Sequence, residues 1–326
     1  MNLFEQQASN RRRTWLVMLA FIAFLFILGF GFDTFYLGTA GGFVPVGSLI
    51  ALGVGSASAA TSYFSGDRAV LLATGAKPIA DVEASAADAD KLKLKMLDNV
   101  VDEMAIAAGL PRPPVYIVPD ADPNAFATGR GPGHASIAVT RGLLDALDRD
   151  ELQGVVAHEM SHIRNLDVRV MTIVAALVGG VALLSDWARR GMWWGGGSRR
   201  RGSDREGGGG IAGVLFFVVW IVAIMLAPLL AQALAMMVSR RREYLADASG
   251  AELTRNPMGL AHALEKIDAA VAPTQAINRG SAHMCIADPL GRQANLREDG
   301  SWSNLFASHP PMAARIAALK EMSFQR

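Results

Sequence analysis

A chain of 326 residues with 51% hydrophobic and 19% charged side chains is long enough to bury a core and too apolar to be a disordered chain. Its formal net charge of +1 gives no basis for a nucleic-acid partner, and it carries no phosphate-cradling loop or nucleotide fingerprint. The single cysteine, Cys285, excludes an internal disulfide and fits a reducing compartment. Apolar residues come in long uncharged runs, which points to an integral membrane protein. Residues 15–32 and 44–64 contain no charge, and each is close to the roughly 20 residues that cross a bilayer core. Arg11, Arg12 and Arg13 precede the first run, which is longer than a secretory h-region and so reads as an uncleaved anchor. The stretch 33–42 between the runs has no basic residue, so this hairpin is expected to leave from and return to the cytoplasm.

Residues 65–169 then read as the first part of a cytoplasmic domain. Apolar positions at helical spacing predict a helix over 86–108, prolines bound a short strand at 113–119, and a turn at 129–133 leads to a second strand at 135–140. A small sheet of this kind has an edge that can hold extended peptide by backbone pairing. The most informative residues follow: His158-Glu159-Met160-Ser161-His162, an HExxH pattern inside a helical segment free of glycine or proline clusters. Histidines at i and i+4 project from one helix face and reach one zinc ion, with Glu159 beside the open coordination position. Zinc lowers the pKa of water from about 15.7 to roughly 7, and a carboxylate then takes its proton as it attacks a carbonyl. The chemistry implied is hydrolysis without a covalent enzyme intermediate.

Two further uncharged runs, 170–185 and 211–239, predict a second hairpin, the first of them short for a full crossing. The connection 189–210 carries six arginines, which favours the cytoplasm and opposes a four-crossing arrangement. Four crossings are nonetheless expected, because they return the residues after the hairpin to the face that holds the HExxH helix. Residues 195–210 are rich in glycine and charge and are expected to be loop. Beyond the hairpin, Glu243 is the candidate third zinc ligand, and Asp247 follows one turn later, placed to hold a ligand histidine by its other ring nitrogen. The same spacing would also serve a solvated Arg/Glu/Asp face. Asn256 and Pro257 predict a helix start, with the helix running to about 270, and 271–308 reads as irregular.

HEMSH at 158–162, REYLAD at 242–247, and Ser308-His309-Pro310-Pro311 with Arg315, together with NAFATG at 124–129, resemble the HtpX family of membrane zinc metalloproteases. The resemblance implies a gluzincin site of His158, His162 and Glu243 holding one Zn2+ per chain, with Glu159 as general base and Asp247 supporting a ligand. It implies that His309 and Arg315 approach the substrate carbonyl or the transition state, and that Asn124 and Ala125 lie in a strand beside the substrate. The fold expected is mainly α with a small β-sheet: about four transmembrane helices plus a zincin-like cytoplasmic metalloprotease domain in the plasma membrane. Its parts are 1–64 as the first hairpin, 65–169 with the HExxH helix, 170–239 as the second hairpin, and 240–326 with the third ligand. The function implied is an endopeptidase whose partners are the lipid bilayer and protein substrates, misfolded or damaged membrane proteins among them. A CAAX-type prenyl-protein endoprotease shares these motifs but resembles a seven-span cage, against four candidate runs here. A non-catalytic scaffold would show a closed four-ligand site, whereas three ligands leave a position for water.

Overall fold

The computed structural model describes residues 3–33, 45–178, 240–270, 272–277, 281–289 and 310–324. It is mainly helical with one four-stranded sheet. Helices α1 (Leu3–Phe32) and α2 (Val46–Ala73) form an N-terminal hairpin. Asp33 joins them, its carboxylate accepting from the Gly47 and Ser48 amides and the Ser48 hydroxyl at 2.6 Å each, so the first turn of α2 is capped from the end of α1. Among the described residues one helix is long and apolar enough to cross a membrane by length and composition, over Glu5–Gly31. Helix α2 is close to it in length and is rich in Gly, Ser and Ala. Most of the expected second hairpin, 179–239, lies outside the described residues, as does the arginine-rich connection.

Strand β1 (Lys77–Pro78), α3 (Ile79–Ser85), α4 (Asp88–Ala108), β2 (Val115–Val118), β3 (Ala125–Gly129) and β4 (Ala135–Thr140) follow. The sheet order is β1-β2-β4-β3, with β2 and β4 parallel and both outer pairs antiparallel. Side-chain alternation builds two cores from it. Ile137 and Val139 of β4 face a large cluster with Leu97, Val101, Val156 and Leu260, while Ala138 faces a smaller one with Val70, Phe126 and Met171. Both faces are therefore covered, and β3 and β4 are buried throughout.

After α5 (Arg141–Ala146) the chain enters α6 (Arg149–Arg164), the HExxH helix. Its start is fixed by a capping box: Asp148 accepts from the Asp150 and Glu151 amides, and Glu151 accepts from the Asp148 amide. Leu166 follows with a left-handed φ of 61°, and a second helical stretch begins at 167 and continues to 178. Helices α7 (Arg240–Thr254), α8 (Pro257–Asp268) and α9 (Met312–Phe324) complete the described chain. Helices α6, α7 and α8 pack closely, because glycines stand at their crossings. A Cβ at Gly154 would lie 2.7 Å from the Leu260 nitrogen, and one at Gly250 would lie 3.1 Å from the His158 nitrogen.

Candidate metal centre

Helical spacing places His158 and His162 on the same side of α6, and their Nε2 atoms are 3.2 Å apart. Helix α7 brings Glu243 to them, with Oε2 3.7 Å from His158 Nε2 and Oε1 3.7 Å from His162 Nε2. All three side chains are buried, and their ligand atoms lie within 4.8 Å of one another. Two ligands on a tetrahedron of about 2.0–2.2 Å radius are separated by roughly 3.3–3.6 Å, so this cluster fits zinc with small adjustments. Two imidazoles with one carboxylate are also the donor types of catalytic zinc sites.

The other ring nitrogens are held by carboxylates. His158 Nδ1 lies 2.9 Å from Asp247 Oδ1, and His162 Nδ1 lies 3.3 Å from Asp167 Oδ2. These contacts orient each ring so that Nε2 faces the cluster. Burial lowers the pKa of His158, helped by His162 and Arg315 and opposed by Asp247. Burial also works against a charge on His162, but Asp167, Glu243 and Glu159 outweigh it and push that pKa up to about 9. Glu159 is buried beside them, and neither of its oxygens accepts a well-formed hydrogen bond. Burial, reinforced by Glu243, pushes its pKa up to about 7 against the pull of His162, Ala127 and Arg315.

Arg315, which the resemblance brings near the substrate, is fully buried next to the cluster. It donates from Nε and Nη2 to both oxygens of Asp247 at 2.8 and 2.7 Å and from Nη1 to the Ile286 carbonyl at 2.7 Å. Nη1 also lies 3.7 Å from Glu243 Oε2, so Arg315 braces the carboxylates behind the cluster. Asn124 and Ala125 likewise turn inward. Asn124 donates to the Ala287 carbonyl at 3.0 Å, the Ala125 carbonyl accepts from the Ile286 amide at 2.9 Å, and Phe126 bridges Cys285. This end of the β3 edge is therefore closed by residues 285–287, not open to peptide as the sequence suggested. His309 lies outside the described residues. Asp167 escaped the sequence reading; an acid five residues past the second histidine was its only signal.

Residues 91–323 match peptidase family M48. A protein named Protease HtpX homolog from Caldanaerobacter subterraneus subsp. tengcongensis is 40% identical over 321 residues, covering 98% of both chains. Another of that name from Streptococcus gordonii is 40% identical over 321 residues, covering 98% of this chain and 100% of its own. The chain belongs to peptidase family M48. As an M48 peptidase it is a zinc metalloprotease that acts on protein substrates, and His158, His162 and Glu243 are the group able to hold the metal. The crystal structure of S. mikatae Ste24p is similar with a TM-score of 0.42 and 17% identity, the match covering 97% of this chain and 66% of that one.

Proposed function

We propose that this M48 peptidase is a multi-pass membrane endopeptidase with its active site at the cytoplasmic face, cutting misfolded or damaged membrane proteins. The observation that carries the catalytic part is Glu159, a buried carboxylate free of well-formed hydrogen bonds beside a buried His158, His162 and Glu243 cluster. His158, His162 and Glu243 are the residues that would hold zinc. Bound there, zinc supplies Lewis acidity and makes water a far stronger acid, from about 15.7 to roughly 7. Glu159 would accept the proton as water attacks the peptide carbonyl and return it to the departing amine, a role suited to a buried carboxylate with no well-formed hydrogen bond to hold it. Asp247 and Asp167 keep the two rings in register, and Arg315 keeps Asp247 ionised. His309 completes the reading as a residue that approaches the substrate carbonyl.

The membrane part is supported by the apolar helix, of whose most hydrophobic window only 24% is buried, as suits a helix facing lipid and not a domain core. The first hairpin spans 1–64, the peptidase is split into 65–169 and 240–326, and a second hairpin at 170–239 lies between them. Cleavage of casein by the full chain in detergent tests the reading, comparing wild type with Glu159→Gln after chelation and zinc return. Cutting by wild type alone, and only with zinc, is expected. Equal cutting by Glu159→Gln would overturn the mechanism.

A further inference from the structure

We propose that Asn10, in the N-terminal helix α1, is a positioning residue of the zinc site, holding Asp167 and through it the ring of His162. The apolar helix is then a working part of the metal centre as well as an anchor. The inference rests on the metal-site reading above and adds a component from the far end of the sequence.

Asp167 is fully buried, and its two oxygens have different tasks. Oδ2 faces His162 Nδ1 at 3.3 Å, while Oδ1 accepts from Asn10 Nδ2 at 2.7 Å and from Arg242 Nη1 at 3.3 Å. The shorter of the two anchoring bonds thus comes from α1. The Asn10 amide nitrogen donates a second time, to the Asn165 carbonyl at 2.9 Å, so one side chain spans the turn between α6 and the following helix. That turn contains Leu166 at φ 61°, a conformation a leucine adopts only when its surroundings impose it. Asn10 therefore holds both the carboxylate and the strained backbone that presents it.

The composition of α1 points the same way. Gln6, Asn10 and Thr14 are buried at four-residue intervals just ahead of the apolar run. A stripe of buried polar side chains costs free energy unless each finds a partner, and anchoring in a bilayer gives no reason for one. Asn10 finds its partners in the residues that follow the HExxH motif. Half-buried Gln7 adds a nearby contact, donating to the Arg164 carbonyl at 2.8 Å, but it does not reach Asp167. Partners of this kind set the orientation of a ligand ring, and their loss typically weakens metal affinity by about 10–100-fold.

The test is the zinc dissociation constant of the full chain in detergent, by competition with a zinc-chelating dye, alongside the unfolding temperature. Asn10→Leu is expected to bind zinc about tenfold more weakly. Gln7→Leu removes a contact between the same two elements and is expected to lower the unfolding temperature while leaving zinc affinity within about twofold of wild type. Asp167→Asn should weaken binding, and adding Asn10→Leu to it should cost nothing more, because the two act through one ring. Where Asn10→Leu does not fold, Asn10→Ser, too short to reach Asp167, gives the same reading. Wild-type affinity in the Asn10 variants, an equal loss in Gln7→Leu, or additive losses with Asp167→Asn would overturn the proposal. A wild-type chain that binds no zinc would overturn the metal-site reading along with it.

Discussion

Glu159 keeps both carboxylate oxygens buried without a well-formed hydrogen bond, and burial holds its pKa near 7. A group left this way is costly to the fold and is kept for its chemistry. Glu159→Gln preserves the shape and removes the base, so peptide cleavage should fall by about 10²–10⁴-fold while zinc affinity stays close to wild type. In the wild type, cleavage should decline on the acid side of a kcat/KM pH profile, because the ionised form is the one that accepts a proton, with the midpoint below the metal-free value of about 7 because bound zinc favours the carboxylate. Asp247 titrates in the opposite sense. Burial alone would raise its pKa, but Arg315 and His158 hold it down at about 2, below the ordinary 3.8 of an unfolded chain. The folded state therefore binds fewer protons there, and the pair stabilises it by about 2 kcal/mol, fully above about pH 5 and less as pH falls through 3.8 towards 2. Asp247→Asn leaves the buried Arg315 without its carboxylate and should cost about 3–5 kcal/mol near neutrality. In denaturant titrations its deficit against wild type should shrink between pH 5 and pH 3.

Helices α6, α7 and α8 bring these residues together, and the distances among them follow from how closely the helices approach. A methyl group on Gly154 would stand 2.7 Å from the Leu260 backbone nitrogen, with no flexible side chain to move aside. Gly154→Ala should therefore destabilise the chain by about 1–3 kcal/mol despite alanine's better helix propensity, a sign that calorimetry would check. This level also separates what could be read in the sequence from what could not. The HExxH helix, the strands at 115–118 and 135–140, and the helix begun by Asn256 and Pro257 all rest on residues within a few positions of one another. Glu243 and Asp247 could be picked out by spacing because they too share one helix turn. Arg315 was found, but not its use, since its partner Asp247 lies 68 residues away. Asn10 and Asp167 are separated by 157 residues, and no periodicity links such a pair. The closure of β3 by 285–287 was equally out of reach, because an edge strand looks the same in sequence whether or not another segment covers it.

At the scale of the whole molecule, the zinc ligands come from two stretches that are continuous neither in sequence nor in their helices. His158 and His162 belong to α6 and Glu243 to α7, and 81 positions separate His162 from Glu243 in the chain. The protein contacts that join these helices leave the three ligand groups facing one another, buried, with the carboxylates of Asp247 and Asp167 behind the two imidazoles. A divalent cation at that point replaces mutual repulsion between Glu243 and Glu159 with attraction to a common centre, and it links α6 to α7 directly. Metal binding is then folding free energy for this half of the molecule. Zinc at 1,000 times its dissociation constant should stabilise the chain by about 4 kcal/mol, lost on chelation. The unfolding temperature of the full chain in detergent, scanned with zinc and with chelator, should show this gap in the wild type and in Glu159→Gln alike. It should close in Glu243→Ala, which removes the ligand that ties the second helix to the first. A gap that survives in Glu243→Ala would place the third ligand elsewhere, and α7 would then be held to α6 by packing, at Gly250 and Ala251 among others, and by the Asp247 contacts.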